Sequence, residues 1–167
     1  KGKNMNENKS EKKEYRIYKP NQNGSGSASS WQISIDNSQK YKKVNVFLDM
    51  ANQKPSENEN SAFDWEGKVT VKLDLPDIGA ILSVLYGRQD GVGKLKDGKR
   101  SGLYHKNSKG NAIIHINENV QGDNLVGFSL RISKQIENDK KAVNSSITVD
   151  ESHILRLFLE EAVKLMF

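Results

Sequence analysis

The stretch VTVKLDLPDIGAILSVLYG, Val69–Gly87, decides the fold. Its first residues alternate between apolar and polar side chains, which predicts a strand with one buried face. Pro76 suits the first turn of a helix, and Gly87 is a natural place for a helix to end. The apolar residues between them fall at helical spacing and predict one buried stripe: Ile78, Ile81, Leu82 and Leu85.

The same order of a strand followed by an amphipathic helix recurs in SSITVDESHILRLFLEEAVKLMF, Ser145–Phe167. Asp150 is the predicted N-cap, and Glu151 would lie near the positive end of the helix dipole. The apolar stripe of this helix is wide: Leu155, Phe158, Leu159, Ala162 and Met166. That width predicts burial on more than one side, in the core and, as a second interpretation, in a subunit contact.

Short alternating runs precede each helix. In the first half they are YRIYK (15–19), WQISID (31–36) and VNVFLDM (44–50), and in the second half GLYHK (102–106), NAIIHINE (111–118) and LVGFSLRIS (125–133). Residues 21–30 read as a flexible Gly/Ser connection, and residues 135–144 as a charged loop. The pattern predicts an α+β protein of two β-β-β-β-α repeats, with two antiparallel four-stranded sheets and helices packed together.

The predicted domain organisation follows from this repeat. Residues 1–14 are polar and predict a disordered basic tail. Residues 15–167 form a single domain, with repeat one at about 15–87, a basic linker at 88–100 and repeat two at about 101–167.

The net charge of +5 is unevenly distributed. Residues 1–20 are net +4, residues 88–109 are net +5, and the remainder of the chain is net −4. Clustered positive charge is typical of proteins that bind a polyanion, although a solvated loop and a solubilising tail explain it equally well.

Several function classes are disfavoured. No apolar run is long enough for a membrane span, and the polar start lacks the apolar core of a secretory signal. We therefore expect a cytoplasmic protein, associated with the nucleoid if bacterial. If the chain is processed, an organelle is the alternative location. There is no cysteine, and the three histidines show no metal-ligand spacing, so no metal or cofactor is expected.

No sequence motif requires an enzyme. Gly93, Gly98 and Lys99 match a phosphate-loop spacing, but Arg100 stands where such a loop needs Ser or Thr. The stretch also follows a helix and leads into a strand, which is the inverse of the required order. We therefore expect a protein that is not an enzyme.

Aromatic residues and lysines are interleaved on the predicted strands. Phe47 lies on the polar face of its strand, and Tyr18 and Tyr104 each stand close to a lysine. Single-stranded nucleic acid is bound by such a combination, because cations contact phosphates while bases stack on aromatic faces. Aromatics are also common in strands and lysine is common throughout this chain, so the pattern is suggestive only.

Three segments carry a resemblance to a known family. YRIYK (15–19) resembles an opening tyrosine-valine-tyrosine-lysine strand, Phe63-Asp64-Trp65 with Lys68 resembles a tyrosine-aspartate-tryptophan segment, and LDLPDIGAILS (73–83) resembles a first helix entry. Gly127 to Ser133 and Val149 to Phe167 follow in the same order. On these residues the chain is similar to the Whirly family of single-stranded-DNA-binding proteins, whose fold is shared with kinetoplastid guide-RNA-binding proteins.

The resemblance covers about residues 15–167 and implies two four-stranded sheets, each followed by a helix, in a protein that assembles as a tetramer. One segment departs from the family. After Lys19 the family continues with glycine, lysine and small apolar residues, a stretch tied to higher assembly, whereas here Pro20 and a Gly/Ser loop follow. Assembly beyond the tetramer is therefore not implied.

We expect a protein that binds single-stranded nucleic acid, mainly DNA, with little sequence preference. The predicted phosphate contacts are Lys19, Lys43, Lys68, Lys72, Lys106 and Lys109, and the predicted stacking residues are Tyr18, Trp31, Phe47 and Tyr104. The alternation places Trp31 equally well in the core. Two alternatives stay open: an RNA-binding or annealing chaperone on the same fold, and a protein–protein adaptor whose basic loop meets an acidic partner.

Overall fold

The computed structural model describes residues 10–38, 40–55 and 62–167. The first half of these residues forms an antiparallel sheet, sheet I, whose main strand order is β1-β2-β3-β5, with the short β4 paired to the end of β3. Its strands are β1 (Glu11–Lys19), β2 (Ser27–Asp36), β3 (Lys43–Lys54), β4 (Ala62–Phe63) and β5 (Val69–Leu73). Strand β5 leads directly into helix α1 (Leu75–Leu85).

The second half forms a four-stranded antiparallel sheet, sheet II, followed by a longer helix. A two-stranded hairpin, β6 (Leu95–Lys96) and β7 (Lys99–Arg100), separates the halves. Sheet II contains β8 (Leu103–Asn107), β9 (Gly110–Gln121), β10 (Asn124–Ile136) and β11 (Asp139–Thr148) in the order β11-β10-β9-β8, and α2 (Val149–Met166) follows. The α+β fold with a repeated sheet-then-helix order is thus confirmed.

One continuous core lies between the two sheets and the helices. The predicted alternation holds: Ile33, Val46 and Leu48 from sheet I and Ile114 and Leu130 from sheet II are fully buried. Strand β11 contacts the main strands of sheet I, and α2 contacts strands of both sheets as well as α1. Each sheet therefore has one face in the core and one outer face.

Both helices begin with a reciprocal capping box. In α1 the Asp77 amide donates to Asp74 Oδ1 at 3.1 Å, and the Asp74 amide donates to Asp77 Oδ2 at 2.9 Å. In α2 the N-cap is Thr148 rather than the predicted Asp150, because the Glu151 amide and the Thr148 hydroxyl pair at 3.1 Å. In the described part of the chain, neither helix has the length and apolarity to cross a membrane.

Three segments that the sequence predicts as tail, connection or loop belong to strands. Strand β1 begins at Glu11, inside the predicted tail, because its backbone pairs with β2 from Glu11 opposite Ile35 onwards. Strand β2 begins at Ser27, inside the predicted Gly/Ser connection. The predicted charged loop at 135–144 is the turn and the paired arms of the β10–β11 hairpin. Backbone pairing explains all three extensions, because the ladder of hydrogen bonds forms whether or not the side chains alternate. Residues 1–9 of the predicted tail lie outside the described residues.

Candidate functional site

The free edges of the two sheets meet and enclose a cleft. Among the strands that the structure describes, β5 pairs only with β3 and β8 only with β9, so each is the last main strand of its sheet. The cleft between them has a volume of about 180 Å³. Its polar lining comes from four strands: Thr70, Lys72, His105, Lys106, Asn111 and Lys134.

A second depression of about 310 Å³ continues from this cleft onto the outer face of sheet II. The two share Asn111 and Lys134, and together we call them the basic groove. Its cations are Lys72, Lys106, Arg131, Lys134, Lys140 and Lys141. Among the described residues that line the basic groove, none is an aspartate or a glutamate, so the groove attracts anions.

Local contacts hold the two walls of the cleft together. Lys134 Nζ of sheet II donates to the backbone carbonyl of Thr70 in sheet I at 3.3 Å. His105 Nε2 of β8 lies 3.1 Å from Asp77 Oδ2 in the first turn of α1. Burial raises the pKa of Asp77, a carboxyl group of α1 that lies behind His105 and does not itself line the cleft. Lys134 therefore connects sheet II to β5, and His105 of the edge strand lies beside the start of α1.

The tight turn between β8 and β9 places Lys109 at the end of the cleft. The amides of Lys109 and Gly110 both donate to Asn107 Oδ1, at 2.9 and 3.2 Å. Gly110 has a φ of 153°, and a Cβ there would lie 2.0 Å from the carbonyl oxygen of Gln135. Only glycine fits this position, so the turn and its exposed Lys109 have a defined place beside Lys106.

Part of the predicted site comes together at this cleft. Lys72 and Lys106 line it from opposite sheets, and Lys109 stands in the adjoining turn. Tyr104 lies on β8 with 59% of its surface exposed, and Phe47 is half-buried opposite Lys72 in the β3–β5 register. The stacking and phosphate roles of these residues remain predictions.

Three other predicted residues lie elsewhere and already have partners. Lys19 Nζ is 2.6 Å from a carboxylate oxygen of Glu151, which ties β1 to α2. Lys68 Nζ is 2.9 Å from Asp49 Oδ2, and the ring of Tyr18 lies 5.5 Å from that of Phe63.

The prediction that Trp31 stacks on a base is wrong. Trp31 lies on the core face of β2, opposite Leu48 in register, and is 0% exposed. The alternation of β2 explains this, because residues 31, 33 and 35 all point to the core. Lys43 is exposed at the start of β3, away from the lining of the basic groove.

One part of the outer face of sheet I, over the start of β2, is covered by its own chain. Residues 62–65, the arch segment, place Phe63 beside Tyr18 and Trp65 4.7 Å from the guanidinium of Arg16. The arch segment starts beside β3, and the residues that Phe63 and Trp65 contact both lie on β1. The segment therefore crosses over β2, the strand between them. The outward-facing residues beneath are small and buried: Ala28, Ser30 and Ala51.

A buried carboxylate occupies the same face. Asp49 is 3% exposed and accepts hydrogen bonds from Gln32 Nε2 at 2.7 Å and Thr70 Oγ1 at 2.6 Å, in addition to its ion pair with Lys68. Its negative charge is therefore satisfied within the sheet. The arch segment and Asp49 make this part of the face a poor surface for a polyanion, whereas Lys72 and Phe47 lie further along the β3–β5 pair.

Four cations of the basic groove were not predicted: Arg131, Lys134, Lys140 and Lys141. The sequence predicts a loop at residues 135–144, so no pattern marks its lysines as binding residues. Their place in the groove follows from the pairing of β10 with β11, which puts Lys134 opposite Lys141. Arg131 is oriented by Ser133 at 3.0 Å and Asn144 at 2.9 Å. Burial, and then the charge of Arg131, lower the pKa of the neighbouring His115.

Within the described ranges, no group of three or more acidic or histidine side chains is placed to bind a metal ion.

Comparison with solved structures shows a common fold over most of the chain. WHY1 from Arabidopsis thaliana aligns with a TM-score of 0.62 and 16% identity, covering 89% of this chain and 87% of that one. The plant transcriptional regulator PBF-2 aligns with a TM-score of 0.61 and 17% identity, covering 89% and 79%. A guide-RNA-binding protein complex bound to a guide RNA aligns with a TM-score of 0.58 and 17% identity, covering 90% of this chain and 89% of that one.

Sequence comparisons add no closer relative, since no protein-family model and no curated protein matches the chain. The likeness therefore concerns the arrangement of strands and helices. The chain has the Whirly-like fold that these plant proteins and the guide-RNA-binding protein share.

Proposed function

We propose that this protein binds single-stranded nucleic acid, mainly DNA and with little sequence preference, in the basic groove. The observation that carries the proposal is that six cations from both sheets line one groove, with no carboxylate among its described lining residues. Such a groove neutralises phosphates whatever the base sequence. The fold supports the proposal, since one structure of similar fold is described as a guide-RNA-binding protein complex bound to a guide RNA.

The proposed binding mode combines phosphate contacts with stacking. Lys72, Lys106 and Lys134 contact the phosphates in the cleft, and Tyr104 offers an exposed ring on the strand that forms one wall. We favour single strands because the exposed ring of Tyr104 beside the cleft can stack on an unpaired base, whereas the bases of a duplex are already stacked on one another.

The test is a titration of labelled oligo-dT with the Lys72→Ala and Lys106→Ala double variant. We expect the affinity to fall about 10- to 30-fold, and the slope of log K against log salt to decrease by about 1.4, because each phosphate contact on a single strand contributes about 0.7. The matched control replaces Lys12 and Lys164, two exposed lysines on β1 and α2, by alanine. Equal losses in both double variants, or unchanged affinity in the groove variant, would contradict the proposed site.

Competition between matched oligomers separates the alternatives. Preference for oligo-dT over oligo-rU supports a role with DNA, whereas the reverse order supports the RNA-binding alternative. Absence of any shift at physiological salt favours the adaptor alternative, in which the basic loop of residues 88–100 meets an acidic protein.

We also propose that the protein is a homo-oligomer, with a tetramer favoured. Apolar side chains on α2 remain exposed in the single chain: Ile154 at 53% and Leu157 at 66%. They lie one turn apart, on the side of α2 away from the buried Leu155 and Leu159. Light scattering should give about four times the chain mass, and Leu157→Glu should lower it. A monomeric wild-type protein would contradict this part of the proposal.

A further inference from the structure

The β6–β7 hairpin projects from the same edge of sheet II that forms the cleft. Its turn consists of Asp97 and Gly98, whose φ angles are 50° and 74°. Two consecutive positive φ angles give the tight two-residue turn whose twist matches that of paired strands. Lys96 and Lys99 are consequently register partners on either side of the turn.

The base of the hairpin is aligned with β8. The Val92 amide donates to the Ile116 carbonyl at 3.1 Å, and the Glu118 amide donates to the Asp90 carbonyl at 2.7 Å. Strand β8 pairs with the preceding part of β9, from Leu103 opposite Ile114 onwards. Residues 90–92 thus extend the edge of sheet II in line with β8, and the hairpin leaves the sheet between them.

The hairpin is held in place by its own contacts. The Lys94 amide donates to Ser101 Oγ at 2.9 Å, and the Ser101 amide donates to the Lys94 carbonyl at 3.0 Å. Arg100 lies 2.6 Å from Asp90 Oδ1 and donates to the Gly93 carbonyl at 3.2 Å. Arg100 therefore braces the base of the hairpin.

Three lysines on this hairpin face solvent. Lys94, Lys96 and Lys99 are exposed, and none forms an ion pair with a carboxylate of the described residues. Of the two acidic residues in this segment, Asp90 is paired with Arg100 and Asp97 stands at the tip. The lysines thus form a second positive surface, separate from the basic groove.

We infer that the β6–β7 hairpin is a second phosphate-binding element for the same nucleic-acid strand, an inference that rests on the proposed function. The strand runs from the cleft along β8, past the exposed Tyr104, to the hairpin lysines. From Lys106 back to Leu103 the extended strand β8 spans about 10 Å, and the hairpin begins only beyond the bend at Gly102. The hairpin therefore contacts only oligomers longer than those that fill the cleft.

The test compares two oligomer lengths, oligo-dT of about 6 and about 20 nucleotides, within the range of single-strand site sizes. The hairpin variant carries Lys94→Ala, Lys96→Ala and Lys99→Ala. We expect it to bind the long oligomer about 10-fold more weakly, with a salt slope smaller by about 2, and to bind the short oligomer as the wild type does. Normal binding of the short oligomer also reports that the variant is folded.

Two controls distinguish the possible results. The Lys72→Ala and Lys106→Ala variant should lose affinity for both lengths, and a charge-matched triple variant at Lys12, Lys40 and Lys164 should change neither beyond a few-fold. Wild-type affinity of the hairpin variant for the long oligomer overturns the inference, as does an equal loss for both lengths. Failure of the wild-type protein to bind either oligomer overturns the proposed function itself.

Discussion

The two sheets are built from similar antiparallel strands, yet their outer faces differ in chemistry. On sheet I the arch segment covers small side chains, and Asp49 is buried among hydrogen-bond donors. On sheet II the outer face is uncovered and leads into the basic groove, with Arg131 held by Ser133 and Asn144. A sheet becomes a surface for a polyanion when its face is open and its carboxylates lie elsewhere.

The largest effect that we expect from this comparison is on sheet I. Asp49→Ala leaves Lys68, Gln32 and Thr70 without their shared acceptor and should lower the free energy of unfolding by about 2–4 kcal/mol. Denaturant unfolding followed by circular dichroism measures this. Affinity for oligo-dT in the folded variant should stay within about two-fold of wild type. A large loss of affinity would show that the part of sheet I around Asp49 also belongs to the binding surface; Asp49→Asn, which keeps one acceptor, is the milder control.

On sheet II the aromatic residue beside the cleft should matter for binding rather than stability. Tyr104→Ala should weaken oligo-dT binding about 5- to 100-fold, corresponding to about 1–3 kcal/mol for one stacked base. Tyr41→Ala is the matched control, since Tyr41 is an exposed tyrosine at the β2–β3 connection of sheet I. Equal affinities of the two variants would remove Tyr104 from the site.

A smaller loss is expected for Phe47→Ala, because Phe47 is only partly accessible beside Lys72.

The smallest effect is expected for the substitution of Lys19. It tests whether this lysine contributes to stability rather than to binding. Burial would raise the pKa of Glu151, but hydrogen bonds from Lys19 and from the Thr148 amide outweigh it, so the pKa lies below its ordinary value of 4.5. Lys19→Ala should lower the free energy of unfolding by about 1–2 kcal/mol at neutral pH. Affinity for oligo-dT should be unchanged.

The pH dependence of this effect has a definite sign. A carboxyl group whose pKa is lowered by folding stabilises the protein above its ordinary pKa, and that stabilisation is lost as the pH falls through the lowered value. The difference in stability between wild type and Lys19→Ala should therefore be constant near neutrality and shrink in acid. A difference that persists at a pH well below 4 would contradict the ion pair as its cause.

Periodicity was sufficient to predict most of the fold. Strict alternation in β3 and β5 and the helical stripe of α1 follow from local side-chain order, because each element must bury one face. The ends of strands were harder to predict. Residues 11–14 are charged and residues 27–30 are small, and only their pairing across the β1–β2 hairpin makes them strands.

The candidate site was predicted only in part, because its residues come from segments far apart in the chain. Lys72 and Lys106 stood out beside strand patterns, whereas Lys134 and Lys141 acquire their role only when β10 and β11 pair. Trp31 shows the opposite case. Its type suggested stacking, but the burial of its strand face placed it in the core.

The sequence by itself determined the α+β class, the repeated order of strands and helix, and the concentration of positive charge in a few segments. The tertiary structure alone decided which charges are free. Lys19 and Lys68 are paired with carboxylates distant in sequence, while Lys72, Lys106 and Lys134 meet where two sheet edges converge. The physical reason is the distance along the chain over which each property is set. Burial patterns depend on residues that are neighbours in sequence, whereas electrostatic partners come together only when one sheet packs against the other.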